Sequence, residues 1–320
     1  MQQSAKIFTL AAAMLLAATL IALAQTPAPN PQDPKYQAKG EQERTYVFPG
    51  TTEMISYHMY VPMKWDKNTK LPLVILTHGA NQASTAPFMR PMANPTLAKT
   101  AEERGYIVAA VTGYHANATG WNAATGETGW NNPYKLVAAQ RGAGGGGGAG
   151  AGGGGGGRGA GGGGGGGGRG GAAAAPATPE DLQRAEQDVL NVADLMAKEY
   201  NVDTNRIYLM GNSSGGGAVW AYSAKFPERW TAISPSAAPL AEGDYPFEKL
   251  KNVPVLYVHG DGDTTMDYAA GKAMIDRAKA RGVNATFLGV QGGIHTDAWA
   301  QPEIIKQIFD FFDAHKTKAK

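Results

Sequence analysis

The chain has 320 residues, 43% of them hydrophobic, with 29 lysines and arginines against 27 aspartates and glutamates. That is material for one large domain or two, and a formal net charge of +2 is too small to argue for a nucleic-acid partner. With no cysteine at all, disulfides, a thiol nucleophile and a thiolate-bound metal are excluded.

At the N-terminus a single Lys6 precedes the apolar run Ile7 to Leu23, which closes on Ala22-Leu23-Ala24. This matches a secretory signal peptide over 1–24 cleaved after Ala24, so the expected location is secreted or periplasmic. The other reading is an uncleaved membrane anchor, for which the run lies near the lower length limit. No cysteine follows to take a lipid. Residues 25–40 are polar and proline-rich and predict a disordered leader, with a single catalytic domain over 41–320.

Arg44 to Phe48 and Ile55 to Val61 alternate apolar and polar residues as half-buried strands do, and Pro62 ends the second. Leu71 to Thr77 is an apolar run of central-strand length that enters His78-Gly79-Ala80-Asn81-Gln82. A helix including Leu97 to Arg104 precedes the strand Tyr106 to Val111. The loop Thr112 to Arg141 carries Trp121 and Trp130, which either line a binding cleft or cap a core. The segment 142–175 holds more than half of the chain's 44 glycines, broken by alanines, Arg158 and Arg169. It has little to bury and is predicted to be a disordered insertion. Arginine-glycine tracts can bind RNA, but two arginines without interleaved aromatic residues argue against it here.

Thr178-Pro179-Glu180-Asp181 reads as a capped helix start, and Leu182, Ala185, Val189, Val192 and Met196 continue at helical spacing to about Glu199. Asn201 to Asn205 turns the chain into the short apolar strand Ile207 to Met210. Gly211-Asn212-Ser213-Ser214-Gly215 then fits the G-x-S-x-G nucleophile elbow, followed by a helix over Ala218 to Lys225. A strand turning sharply into a helix strains the central residue and projects its side chain from the sheet edge, which makes Ser213 the candidate nucleophile. The Ser214 amide, at a helix N-terminus, is the first expected oxyanion donor.

Strands are predicted at Trp230 to Ser234, Val255 to Val258 and Ala285 to Val290, with helices over Tyr268 to Arg281 and Glu303 to His315. The alternation implies an α/β fold with a mostly parallel sheet covered on both faces and chemistry at the strands' carboxyl ends. Loops after three of these strands offer Ser213, the pair Asp261 and Asp263, and His295, in the order Ser, Asp, His. His295 would serve as the base, while either aspartate could orient it or simply accept turn amides. That order needs the base after the nucleophile, so His78-Gly79 reads as a turn and the Ala80 amide as the second oxyanion donor. His58, His115, His259 and His315 have no metal-binding spacing, and neither a metal nor a cofactor is expected.

In these residues the chain resembles α/β-hydrolase esterases of the polyhydroxybutyrate depolymerase and feruloyl/acetylxylan esterase group, with dienelactone hydrolases as wider relatives. The resemblance covers Tyr57 to about Gly113 and Pro179 to His315. Its carriers are Leu76-Thr-His-Gly79, with Thr77 interrupting the usual L-H-G; Asn201-Val-Asp-Thr-Asn-Arg-Ile-Tyr-Leu-Met-Gly-Asn-Ser-Ser-Gly-Gly216; and His259-Gly-Asp-Gly-Asp-Thr-Thr-Met266. Against the family's H-G-x-x-D-x-x-V, that last stretch selects Asp263 as the acid, and Gly293-Ile-His295 stands where the family has G-x-H. The resemblance implies a serine esterase, and the expected substrate is a small-molecule or polymeric ester. Asn81, Trp121, Trp130 and Trp299 are the candidate substrate contacts. Two rivals remain: a serine peptidase resembling the prolyl oligopeptidase catalytic domain, and a non-catalytic binding protein on the same fold.

Overall fold

The computed structural model describes residues 38–80, 82, 95–140, 176–243, 245–296 and 301–316. The predicted signal peptide, nearly all of the leader and the glycine-rich segment lie outside these residues, as do Asn81 and Trp299.

Eight strands form one sheet: β1 (Gly40–Val47), β2 (Met54–Val61), β3 (Leu71–Thr77), β4 (Ile107–Ala110), β5 (Val202–Asn212), β6 (Ala232–Ser236), β7 (Val255–Gly260) and β8 (Ala285–Val290), in the order β1-β2-β4-β3-β5-β6-β7-β8. β2 runs antiparallel to both β1 and β4, and every other pairing is parallel. The helices are α1 (Pro95–Arg104), α2 (Pro179–Glu199), α3 (Ser214–Lys225), α4 (Tyr268–Ala280) and α5 (Pro302–Ala314). No helix among the described residues is long and apolar enough to cross a membrane.

The central strands are apolar on both faces because both faces are covered. Leu73 and Ile75 of β3 and Ile207 and Leu209 of β5 pack into a core with residues of α2, α3 and α4. Their neighbours Val74, Leu76, Tyr208 and Met210 pack on the opposite side with residues of α1 and α5. The start of α2 is fixed as its sequence predicts: Thr178 Oγ1 accepts the Asp181 amide at 3.1 Å, and Asp181 Oδ2 accepts the Thr178 amide at 2.9 Å.

Several boundaries move for identifiable reasons. β1 begins at Gly40, before the predicted Arg44, because it pairs along the whole of β2. As an edge strand with glutamates at 41 and 43, it carries little hydrophobic alternation there. β6 lies two residues beyond the predicted strand and runs through Pro235, a residue that normally ends strands. Trp230 is then a buried packing residue ahead of the strand. α3 begins at Ser214, so the glycines predicted as a turn are its first residues.

Candidate active site

β5 delivers the chain to Ser213, the N-cap of α3, at φ 59 and ψ −125, a left-handed conformation that costs any residue but glycine. The glycines around it are required by contact. A Cβ at Gly211 would lie 2.1 Å from Thr77 Oγ1, and one at Gly215 would lie 2.4 Å from the carbonyl oxygens of both Thr77 and His78. β3 therefore passes directly against the elbow. Thr77, which stands between Leu76 and His78, has a use here, since its Oγ1 donates to the Gly215 carbonyl at 2.9 Å. The Ser213 amide donates to Ser236 O at 2.9 Å, which ties the elbow to the end of β6.

The loops after β7 and β8 interlock through their own glycines. A Cβ at Gly260 would lie 2.1 Å from Gly293 O, and the Gly262 amide donates to that same carbonyl at 3.0 Å. This approach brings Asp263 to His295, with Asp263 Oδ2 2.8 Å from His295 Nδ1. Asp263 is buried, and its Oδ1 accepts the Thr265 amide at 2.7 Å and the Met266 amide at 3.0 Å. Burial pushes its carboxyl up, but hydrogen bonds from His259 and His295, the nearby His295 charge and the Met266 amide outweigh burial and hold it well below the usual carboxylate range. Asp261 is exposed and accepts the Gly292 amide at 2.6 Å, a turn role. The two aspartates that the residues alone left open are thus separated by geometry.

Ser214 is the first residue of α3, so its amide has no acceptor inside the helix. Its hydroxyl donates to Thr119 O at 2.9 Å and Gly120 O at 3.0 Å, which holds the loop after β4 beside the elbow. Gly79 also adjoins the nucleophile, with the position of its missing Cβ 3.8 Å from Ser213 Cβ, and Ala80 follows it half-buried in the turn. His78 is fully buried, with Nδ1 2.7 Å from Gly79 O and Nε2 2.8 Å from Thr112 O. Burial pushes its imidazole down, more than those two bonds restore. Its ring lies between the carbonyls of Gly79 and Thr112 and so ties the turn after β3 to the loop after β4.

The tryptophans separate. Trp130 does not line a cleft: it is fully buried, its ring centroid 4.9 Å from that of His78 and its six-membered ring where a Gly113 Cβ would have to stand. It packs beneath the site. Trp121 is half-buried, bridges to Thr128 and directly follows Gly120 in the loop held by Ser214.

Three contributions had no signal in the hydrophobic pattern. Asp188, buried in the middle of α2, accepts the amides of Gly113 at 2.8 Å and Tyr114 at 3.3 Å and the Tyr46 hydroxyl. It anchors a turn in which both amides belong to residues of positive φ. Residues 135–139 form a strap across the sheet's carboxyl edge, the Val137 amide donating to Pro239 O and the Ala139 amide to Thr265 O, each at 2.9 Å. His259 sits behind Asp263, its Nε2 3.1 Å from Asp263 Oδ2. An acidic residue inside an otherwise apolar helical stripe was the available sign for Asp188. For His259 it was the histidine that opens His259-Gly-Asp-Gly-Asp263, four residues before that aspartate.

Known proteins share part of this chain's sequence and its fold. The profile of the prolyl oligopeptidase family matches residues 162–242, about a quarter of the chain, including the elbow. A bifunctional acetylxylan esterase/xylanase from Neocallimastix patriciarum is 34% identical over 80 residues, which is 25% of this chain and only 12% of that protein. A thermostable esterase superposes with a TM-score of 0.56 at 19% identity, over 84% of this chain and 62% of its own. The chain has the α/β-hydrolase fold. A feruloyl esterase module from Clostridium thermocellum shares that fold at a TM-score of 0.54 and 15% identity, covering 92% of this chain and 95% of the module. At such identities the structural likeness speaks for the fold, and function has to be argued from the site.

Proposed function

We propose that this α/β-hydrolase is a serine hydrolase that cleaves carboxylic esters through an acyl-enzyme on Ser213. The observation that carries the reading is the Asp263–His295 hydrogen bond of 2.8 Å, on the same sheet edge as a serine held at φ 59. Asp263 occupies His295 Nδ1, which leaves Nε2 to take the Ser213 proton as the hydroxyl attacks the ester carbonyl. The carboxylate stabilises the imidazolium so formed. The amides of Ser214 and Ala80 are the proposed donors to the developing oxyanion, and His295 returns the proton to the departing alcohol. Water activated by the same imidazole then releases the acid. Trp121 is the remaining described candidate for a substrate contact, and the reading requires neither metal nor cofactor. Small-molecule or polymeric esters are the proposed substrates. Together with the N-terminal pattern of the sequence, they suggest an enzyme that works outside the cytoplasm.

A second reading has a specific observation behind it. The matched profile is that of a peptidase family, so a peptide bond is the alternative scissile group. Hydrolysis of p-nitrophenyl acetate, butyrate and octanoate, and of a matched p-nitroanilide peptide, is to be measured for the wild type and Ser213→Ala. Ester turnover lost in the variant is expected. Amide turnover without ester turnover would favour the peptidase, and no labelling of Ser213 by a fluorophosphonate would leave the fold as a binding module.

A further inference from the structure

Behind the Asp263–His295 pair lies a second histidine that catalysis as described does not use. His259 is the fifth residue of β7 and is fully buried. Its Nε2 is 3.1 Å from Asp263 Oδ2, the same oxygen that His295 Nδ1 approaches at 2.8 Å. Its other nitrogen, Nδ1, is 3.1 Å from the hydroxyl of Tyr257, also fully buried on β7. That hydroxyl in turn accepts the Ala238 amide at 3.0 Å.

The donors and acceptors along this row can be assigned. A buried tyrosine hydroxyl needs an acceptor for its proton, and among the described residues the one in reach is His259 Nδ1. Nδ1 must then present a lone pair, so His259 carries its proton on Nε2 and donates it to Asp263. The carboxylate thereby receives four donors, the two imidazoles on Oδ2 and the amides of Thr265 and Met266 on Oδ1. Space around the pair is closed as well: a Cβ at Gly271 of α4 would lie 2.8 Å from His259 Nδ1 and 2.9 Å from Tyr257 Cε1. The Tyr268 ring stands edge-on to His259 with centroids 5.5 Å apart.

We propose that Tyr257 and His259 form a buried hydrogen-bond relay whose task is to pin the Asp263 carboxylate, so that Oδ2 faces His295 in one orientation. The proposal rests on the serine hydrolase reading for its catalytic consequence. His259 is a positioning residue in this scheme, since it touches Asp263 and never the substrate. Two amides alone hold only Oδ1 and leave the carboxylate free to pivot about it; the His259 donor removes that freedom.

The test has two arms. In ¹⁵N-labelled wild-type protein at neutral pH, the histidine nitrogen shifts should place the His259 proton on Nε2, with Nδ1 bare and coupled to the Tyr257 hydroxyl; a proton on Nδ1 overturns the relay. In the second arm, His259→Leu should lower kcat about tenfold with KM unchanged, the scale of one charge-assisted hydrogen bond. His259→Gln should recover most of that loss, because its amide nitrogen can occupy the Nε2 position. An unaltered kcat in His259→Leu, or a glutamine variant no better than leucine at equal thermal stability, refutes the role. If the leucine variant does not fold, the tautomer measurement decides alone. If wild-type protein hydrolyses no ester and Ser213 takes no fluorophosphonate, the hydrolase reading fails while the tautomer result still bears on the relay.

Discussion

Replacing Ser213 by glycine and by alanine separates chemistry from backbone strain. Both variants lose Oγ and should lose turnover together. Only glycine is at ease at φ 59 and ψ −125. A non-glycine residue in such a region costs about 1–3 kcal/mol. Against that gain, glycine adds about 0.4–1 kcal/mol of unfolded-chain entropy to be lost on folding, and it removes the buried Cβ that faces Gly79. The balance leaves Ser213→Gly about 1 kcal/mol more stable than Ser213→Ala, which for a domain of this size is about 2–4 °C in Tm. Paired thermal melts followed by circular dichroism, with urea titrations for equal m-values, measure it. A glycine variant that melts at or below the alanine variant would refute the idea that the elbow stores strain in order to present the hydroxyl.

The assignment of the acid predicts unequal effects from two nearby aspartates: Asp263→Asn should cut turnover by about 10⁴-fold, whereas Asp261→Asn, which alters an exposed turn, should change it little. Steady-state kinetics on p-nitrophenyl butyrate decides, and a larger loss in Asp261→Asn would overturn the assignment. The second concerns Asp188, whose burial pushes its carboxyl up to about 6, against hydrogen bonds from Tyr46, Gly113 and Tyr114 that oppose the shift. Its folded value exceeds its unfolded one, so the native state holds the extra proton between roughly pH 4 and 6, and the contribution is present below that window and lost as pH rises through it. A shift from 3.8 to about 6 corresponds to about 3 kcal/mol. Urea unfolding from pH 4.5 to 7 should therefore show a decline in the wild type that Asp188→Asn lacks; parallel curves for the two proteins would remove Asp188 as its source.

Much of this protein was legible from local pattern. Apolar runs such as Leu71 to Thr77, bounded by turn residues, mark strands buried on both faces, and Thr178 with Asp181 marks a helix start, because each depends only on neighbours in sequence. The elbow is local for the same reason: a strand, five residues and a helix suffice to single out Ser213. Edges were less legible. Gly40 joins β1 through pairing with Val61, and Pro235 stays in β6 through pairing with Gly211, neither of which a propensity expresses. What the tertiary structure alone decided is which groups meet. Asp261 and Asp263 are two residues apart and chemically identical, yet the Gly260–Gly293 approach turns one toward His295 and leaves the other in solvent. Trp130 and Trp121 share a loop, but only Trp130 falls under His78. His259, which the sequence places just after a strand ending at Val258, belongs to β7 itself, and that strand and the turn after it put its Nε2 on the carboxylate of Asp263. Sequence periodicity records which face a residue takes toward its own element, whereas a site is made by distances between elements, and those are set by sheet order and by the close backbone contacts that glycine permits.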